Sequence, residues 1–303
     1  MMTCRSGRLE REPDQAPRRP GPLAHRIEEM GMKFGLWVEP EMVNEDSDLY
    51  RAHPDWAFQV PGRPMTRGRS QLVLDLTRAE VRQYIMDNLR ATLNSAPISY
   101  VKWDMNRSIT ECYSVAYPAD RQGEIFHRHI LGVYDLYERL TSEFPHILFE
   151  SCASGGARFD PGLLYYAPQG WASDDSDAIE RLKIQYGTSF AYPISSIGSH
   201  VSVTPNHQVY RLTPLHTRAN VAYFGTFGYE LDLNKLTPAE QEEVKEQIKF
   251  MKEYREVFQF GTFYRFEQFH FENNVTAWMV VSEDKETAIV GWYRVFKWCK
   301  FTI

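Results

Sequence analysis

The sequence lacks long apolar runs, a surplus of basic residues and, for the most part, cysteine, and each absence excludes a class of protein. No apolar run in the 303 residues approaches the length that a membrane-spanning helix needs. Lysine and arginine form no stripe, and the formal net charge is −6, which argues against a nucleic-acid backbone as partner. The sequence therefore predicts neither a membrane protein nor a nucleic-acid-binding protein.

Cysteine occurs four times in the chain. Cys4, Cys112, Cys152 and Cys299 are spaced too irregularly for a metal cluster, and a chain of this length does not need disulfides to stabilise its core. We therefore expect reduced thiols, no bound metal and no cofactor. The N-terminal residues also lack the apolar segment of a secretory signal, which favours a cytoplasmic location.

The chain does contain enough apolar material for a large core, since 43% of its residues are hydrophobic and 14% are aromatic. From residue 22 to about residue 227, short apolar segments alternate with helical ones, which is typical of an α/β fold with a parallel sheet. The predicted strands are Lys33–Glu39, Gln71–Leu76, Tyr100–Met105, Ile147–Ser151, Gly170–Ser173 and Ile194–His200. A closed (β/α)8 barrel needs eight strands, so we expect a TIM-type barrel that is incomplete, with about six strands.

Helix positions follow from capping signals and from periodic apolar residues. The predicted helices are those that start at the capping boxes of Thr77–Glu80 and Thr237–Glu240, the one capped by Asp177, and the segments Glu124–Phe144 and Thr213–Phe224.

After the last helix the apolar period changes to two, which indicates a small antiparallel β segment. Its predicted strands are Phe263–Phe271, Ala277–Val281 and Ala288–Tyr293. The expected regions are an unrelated or disordered tail at 1–21, a partial catalytic barrel at 22–260 and a partial C-terminal antiparallel β domain at 261–303.

The segment Ile98–Arg107 carries the strongest chemical signal in the chain. Because side chains alternate along a strand, Lys102, Asp104 and Asn106 are expected on one face. The lysine is expected to lower the pKa of the Asp104 carboxyl, so that the carboxylate acts as a nucleophile or stabilises a cation. The alternative is an ion pair with a structural role at the end of a strand.

A second acidic cluster, Asp174, Asp175 and Asp177, follows another short apolar stretch and directly precedes a helical pattern. Two strand ends that both carry acids suggest a pair of carboxylates working together. Such a pair is what the cleavage of a glycosidic bond requires.

Other polar residues also fall at the predicted strand ends, where a βα barrel forms its active site. They are Trp37, Glu39, Glu41, Arg67, Arg69, Asp75, Glu150 and His200. Each has a structural alternative: Asp75 would begin a capping turn, and Glu39 would pair with an arginine. Together, acids, cations, amides and tryptophans suit a sugar, whose hydroxyls need polar partners and whose C–H faces stack on rings.

Six motifs carry a resemblance to a known family. They are GMKFGLWVEPEMV (31–43), YRAHPDW (50–56), GRSQLVLDL (68–76), KWDMNR (102–107), ESCASGGARFD (150–160) and WASDDSDAIERLKIQYG (171–187). With these motifs the chain, from about residue 22 onward, resembles the α-galactosidases of glycoside hydrolase family 36, which are retaining enzymes with a (β/α)8 barrel.

The resemblance implies that Asp104 is the nucleophile and Asp174 the general acid/base. Asp175 and Asp177 are less favoured, and Asp177 also has a role as a helix cap. The resemblance further implies that a galactosyl residue contacts Trp37, Arg69, Lys102, Trp103, Asn106, Cys152 and Gly155.

Physical roles can be given to several of these implied contacts. Lys102 and Asn106 would donate hydrogen bonds to sugar hydroxyls, and Trp37 would pack against the ring. The glycines after Cys152 would let the backbone approach the substrate. Cys152 itself would be a small wall residue, and the alternative is a nucleophilic thiol paired with His200.

The expected function is hydrolysis of terminal α-D-galactosyl residues, of the raffinose or melibiose type, through a covalent galactosyl-enzyme. Retention of configuration would require the two carboxyl groups to be about 5–5.5 Å apart. The resemblance also implies homo-oligomers. One alternative is a family member that transfers galactose to another sugar.

The family pattern also includes a β-rich domain and two barrel strands before the matching region, and the second of those strands ends in two aspartates that bind galactose. These elements are not recognisable in residues 1–21, and the C-terminal β domain also ends early. We therefore expect a truncated chain. The second alternative is accordingly an impaired barrel fragment that binds sugar or associates without turnover.

Overall fold

The computed structural model describes residues 20–266 and 274–295. Cys4, Cys299 and most of the predicted tail lie outside the described residues, as does the end of the strand predicted at 263–271. The first described helix already begins at Pro20, so the last two residues of the predicted tail are helical. Among the described residues, neither Cys112 nor Cys152 takes part in a disulfide.

Among the described residues, the helices are α1 (Pro20–Glu29), α2 (Asp48–Ala52), α3 (Ala79–Leu93), α4 (Ile125–Glu143), α5 (Pro161–Tyr166), α6 (Ala178–Thr188), α7 (Leu215–Ala222) and α8 (Pro238–Phe260). The strands are β1 (Phe34–Val38), β2 (Met42–Val43), β3 (Leu72–Val73), β4 (Ile98–Trp103), β5 (Leu148–Ser151), β6 (Gln169–Gly170), β7 (Gly198–Ser202), β8 (Thr226–Glu230), β9 (Thr262–Arg265), β10 (Val275–Val281) and β11 (Ala288–Arg294). None of the described helices is long and apolar enough to cross a membrane.

Residue contacts divide the chain into two compact units, 1–154 with 158–168 and 155–157 with 169–303. In the first unit, β4 pairs in parallel with β1 on one side and with β5 on the other. The register sets Trp37 opposite Lys102 and Lys102 opposite Glu150. These three side chains therefore stand in one row on the same face of the sheet.

The opposite face of β4 and the helices α3 and α4 form the core of the first unit. Val101, Leu89 and Leu136 are buried there, in one cluster with Phe149. The parallel strands flanked by helices confirm the α/β class that the alternating pattern predicts.

Two details of the strand prediction are wrong. The segment predicted at Gln71–Leu76 forms only the short strand β3, which pairs antiparallel with β2 instead of joining the parallel strands. Strand β8 was not predicted, and it pairs in parallel with β7 in the second unit. A short apolar run does not reveal its pairing direction, and β8 lacks a buried apolar run because none of its residues is fully buried.

The second unit ends in a three-stranded antiparallel sheet in which β10 lies between β9 and β11. Trp278 of β10 is fully buried and contacts the ring of Phe224. This sheet confirms the small antiparallel segment predicted from the period of two.

Two of the predicted helix caps are confirmed and one is wrong. The Asp177 side chain accepts hydrogen bonds from the first turn of α6, and Thr237 forms a capping box with Glu240 at the start of α8. Thr77 does not cap α3, because its hydroxyl and its backbone N–H both donate to the buried carboxylate of Asp75. Asp75 thus has the structural role that the capping-turn alternative gave it.

Candidate active site

Asp104 directly follows β4 and is held by neutral donors. Its backbone N–H donates to the Val38 carbonyl at 2.9 Å, and its Oδ2 accepts from Trp37 Nε1 at 3.1 Å and from Asn106 Nδ2 at 2.6 Å. Its Oδ1 is buried and has no hydrogen-bond partner among the described residues. Because a buried polar atom is normally paired, an oriented carboxylate with one unpaired oxygen is suited to attack a ligand.

Asn106 links Asp104 to a second carboxylate. Its Nδ2 donates to Asp104 Oδ2 and to Glu39 Oε1, each at 2.6 Å. A primary amide has two N–H bonds, so both donors are used, and the carbonyl oxygen is the group that Asn106 can offer a ligand. This corrects the expectation that Asn106 donates to a sugar hydroxyl.

Arg69 lies in a tight turn that the sequence did not reveal. Arg69 and Ser70 both have positive φ, 53° and 62°, between Gly68 and Gln71, whose backbones bond each other in both directions. Two successive positive φ values define a type I′ turn, which side-chain-bearing residues adopt only at a cost. Arg69 Nη1 lies 3.4 Å from Glu39 Oε1, which confirms the predicted pairing of Glu39 with an arginine, and burial raises the pKa of Glu39.

Lys102 has a different acidic partner from the one expected. Its Nζ lies 3.0 Å from Oε1 of Glu150, which is buried on the neighbouring strand β5 and also accepts a hydrogen bond from the Tyr100 hydroxyl. Burial is the largest single influence and by itself lowers the pKa of Lys102. The nearby negative groups, with Glu150 contributing most, together outweigh burial, so the pKa is raised. Lys102 is therefore held as a cation within the row that it forms with Trp37 and Glu150.

Replacing Glu150 by glutamine is expected to lower the pKa of Lys102, because burial persists while the largest opposing charge is removed. The acid dissociation constant of Lys102 should rise roughly tenfold or more. Reductive methylation with isotope-labelled formaldehyde and an NMR titration measure it, and Lys102→Arg assigns the resonance. Glu143→Gln, which removes an exposed partner of Arg90, is the matched control. An unchanged pKa would show that Glu150 does not set the charge of Lys102.

Trp103 is a wrong prediction as a sugar contact. Its side chain has no exposed surface, stacks on Tyr137 at 4.7 Å and donates through Nε1 to Glu41 Oε1 at 2.7 Å. Because it alternates with Lys102 along β4, it faces the core instead of the polar row.

Glu41 likewise lies in the interior and is not one of the polar residues that could contact a sugar. It is fully buried, and Arg158 Nη2 and Nη1 donate to it at 2.6 and 2.9 Å. Burial raises the pKa of Glu41, but Arg158 and the nearby His129 outweigh burial and hold it well below its usual range. No local pattern predicts this pair, because 117 residues separate its members.

Replacing Arg158 by methionine is expected to destabilise the fold by about 3–5 kcal/mol, because it leaves the Glu41 carboxylate buried without its main counter-charge. Urea unfolding followed by circular dichroism measures the loss. The double variant Glu41→Gln with Arg158→Met removes both charges and should recover much of it. A loss below about 1 kcal/mol in the single variant would contradict the assignment.

Cys152 and Gly155 follow β5. Cys152 is buried, and its backbone N–H donates to the Trp103 carbonyl at 2.8 Å while its carbonyl accepts from Met105 at 3.2 Å. These bonds tie Cys152 to the chain on both sides of Asp104. His200 is the residue that the thiol-nucleophile alternative paired with Cys152. Its ring centroid lies 4.6 Å from that of Trp171, and its Nδ1 lies 3.6 Å from Glu230 Oε2.

Gly155 permits a close approach within the second unit. Its φ is +79°, and a Cβ there would lie 2.7 Å from the backbone nitrogen of Asp174. A side chain at Gly155 would therefore displace the acidic segment. This adds a reason for the glycine beyond the expected approach to substrate.

The three acids of the second cluster differ in exposure and role. Asp177 is buried, caps α6 and pairs with Arg211. Asp175 is half-buried, and its Oδ1 accepts from the Asp177 backbone at 3.0 Å. Asp174 is exposed, as proton transfer to a bulky ligand requires. The structural role predicted for Asp177 is confirmed.

Arg181 lies beneath this cluster and was not predicted. Its guanidinium is buried 4.1 Å from the ring of Trp171, and its Nη2 donates to the Ser173 carbonyl at 3.2 Å. Burial lowers its pKa to about 10, against the opposing charges of Glu230, Asp175 and Asp174. It thus supplies a cation near the acids.

No group of three or more metal-ligating side chains occurs within residues 20–266 and 274–295. The polar groups of the candidate site are carboxylates, a lysine, arginines and amides. On an α/β framework with acids after the parallel strands, this places the protein among candidate carbohydrate-active enzymes.

The profile of the melibiase family matches residues 9–261, so the match begins earlier than the expected residue 22. The chain belongs to this family, glycoside hydrolase family 36. It is 57% identical over 273 residues to α-galactosidase AgaA of Geobacillus stearothermophilus, which covers 90% of this chain and 37% of AgaA. It therefore spans little more than a third of the length of that relative.

Solved structures agree with the family assignment. The crystal structure of AgaA superimposes with a TM-score of 0.90 at 55% identity, covering 92% of this chain and 39% of the other. An α-galactosidase from Lactobacillus brevis gives a TM-score of 0.89 at 52% identity, covering 91% and 37%.

Proposed function

We propose that the chain is the catalytic part of a retaining α-galactosidase that hydrolyses terminal α-D-galactosyl residues of oligosaccharides. The observation that carries the proposal is the buried Oδ1 of Asp104, which has no hydrogen-bond partner within 20–266 and 274–295, while the other oxygen is fixed by Trp37 and Asn106. Relatives support the substrate class, because variants of AgaA were crystallised with raffinose and with stachyose.

In the proposed reaction, Asp104 Oδ1 attacks the anomeric carbon while protonated Asp174 gives its proton to the leaving oxygen. A galactosyl-enzyme ester forms, and the leaving sugar departs. Asp174, now a carboxylate, then takes a proton from water, which attacks the anomeric carbon. The bond from that carbon to Asp104 breaks, so that α-galactose is released and the Asp104 carboxylate is restored. Two inversions give net retention, which calls for carboxyl groups about 5–5.5 Å apart during reaction.

The proposed sugar contacts use the polar groups and rings of the residues described above. Lys102 and Arg69 donate to hydroxyls, and Asn106 accepts through its carbonyl oxygen. Cys152 is a small wall residue, and Gly155 lets the backbone approach the sugar. Trp37 keeps its N–H on Asp104 and offers its ring to the sugar.

For the fold, we propose that β1, β4, β5, β6, β7 and β8 are six strands of an incomplete (β/α)8 barrel within residues 22–260, followed by the partial β domain at 261–303. Six is the number expected from the sequence, although β8 takes the place given to the segment at 71–76. Association into homo-oligomers stays a prediction, which light scattering after size exclusion measures.

The test is turnover of nitrophenyl α-galactoside by the purified chain, with the corresponding α-glucoside as control. The proposal expects release of nitrophenol from the galactoside alone. Folded protein that binds galactose in calorimetry without turnover would overturn the proposal and favour the binding fragment. Products longer than the substrate, formed with melibiose, would favour galactosyl transfer to another sugar.

A further inference from the structure

The last residue of β7 and the segment that follows it hold the acidic turn, residues 174–177, through four hydrogen bonds. Ser202 Oγ donates to the Ser176 carbonyl at 2.9 Å, and Asn206 Nδ2 donates to Ser176 Oγ at 3.3 Å. Gln208 Oε1 accepts from the Ser176 backbone N–H at 2.9 Å, and Gln208 Nε2 donates to the Asp174 carbonyl. Gln208 thus binds the backbone on both sides of Asp175.

Gln208 is itself held in place. Its backbone N–H and that of Val209 both donate to Asn206 Oδ1, at 2.9 and 3.1 Å, and the Asn206 backbone donates to the Arg211 carbonyl at 3.0 Å. Asn206 is buried, with 2% of its surface exposed. An exposed glutamine usually forms hydrogen bonds with water. Gln208 is exposed, yet both its amide oxygen and its amide nitrogen form hydrogen bonds with the backbone of the acidic turn.

We propose that Gln208 is a positioning residue, which fixes the turn carrying Asp174 so that this carboxyl meets the leaving oxygen. The inference rests on the proposed function. A general acid has to lie within hydrogen-bond reach of the atom that it protonates. Asp174 is exposed, so the position of its carboxyl depends on how firmly its backbone is held. Gln208 does not contact the reacting atoms in this role; it acts through the backbone of Asp174.

Two variants separate the bonds that Gln208 makes. Gln208→Ala removes both, whereas Gln208→Glu keeps an acceptor for Ser176 but has no donor for the Asp174 carbonyl. Gln241→Ala, at an exposed position of α8, is the control for loss of a surface glutamine.

The first readout compares leaving groups. In Gln208→Ala, kcat/KM for melibiose should fall roughly 10- to 100-fold, whereas that for dinitrophenyl α-galactoside should change less than about threefold, because a good leaving group needs no proton. Gln208→Glu should show the same pattern, and Gln241→Ala neither change. Equal losses on both substrates would overturn the proposal, since a purely structural defect affects both.

The second readout does not need turnover. Amide hydrogen exchange at Ser176 should accelerate at least about tenfold in Gln208→Ala and stay near the wild-type rate in Gln208→Glu. Unchanged exchange in Gln208→Ala would overturn the anchoring whatever the activity. If the wild-type chain does not hydrolyse galactosides, the proposed function fails, while faster exchange in Gln208→Ala still supports the anchoring.

Discussion

Replacing Asp104 by asparagine is expected to lower kcat for α-galactoside hydrolysis by roughly 10⁴-fold or more, because it removes the nucleophile of the proposed covalent step. Asparagine has nearly the same shape and keeps an oxygen for the bonds from Trp37 and Asn106, so the fold should be unaffected. Steady-state kinetics with nitrophenyl α-galactoside measures the loss, and thermal unfolding checks the fold.

Added azide makes this result specific for a nucleophile. In Asp104→Asn, azide can take the place of the carboxylate and attack the anomeric carbon directly, which gives β-galactosyl azide with a single inversion. The α anomer of the azide, or a variant that keeps more than about one hundredth of the wild-type rate, would contradict the role of Asp104.

Replacing Asp174 by asparagine should have the second largest effect, and its size should depend on the leaving group. For melibiose, kcat/KM is expected to fall roughly 10²- to 10⁴-fold because the leaving sugar loses its proton donor. For dinitrophenyl α-galactoside the first step should change little. Azide should then trap the galactosyl-enzyme and give α-galactosyl azide, the product of two inversions.

Asp175→Asn is the matched control for Asp174. Its side chain still accepts the hydrogen bond from the Asp177 backbone, so the turn should keep its shape. We expect little change in kcat/KM on either substrate. Loss of leaving-group dependence in Asp174→Asn, or its appearance in Asp175→Asn, would move the acid/base role to Asp175.

The features that depend on residues close together in the sequence were predictable from it. The helix caps at Asp177 and Thr237 depend on side chains within three residues of the helix start, and both are present. Alternation along one strand also predicts that Asp104 and Asn106 lie together, and these two side chains are hydrogen-bonded. The α/β class follows in the same way from the order of segments.

Contacts between distant segments were not predictable in this way. Lys102 pairs with Glu150 because the β4–β5 register sets them side by side, and a register between separate strands has no local signature. Glu41 pairs with Arg158, which is distant in the sequence, so no local pattern shows that Glu41 is an interior residue and not a site residue. The hydrogen bonds between Gln208 and the acidic turn likewise join residues more than thirty positions apart.

The most direct test of the central claim, that Asp104 is the nucleophile of a retaining α-galactosidase, is to trap the covalent intermediate. A fluorinated galactosyl fluoride that reacts faster than its ester hydrolyses should accumulate as a galactosyl-enzyme, detected by intact mass spectrometry. We expect one adduct per chain, located by peptide mapping on the peptide containing Asp104 and absent from Asp104→Asn. An adduct on another residue, or a folded chain that forms none, would contradict it.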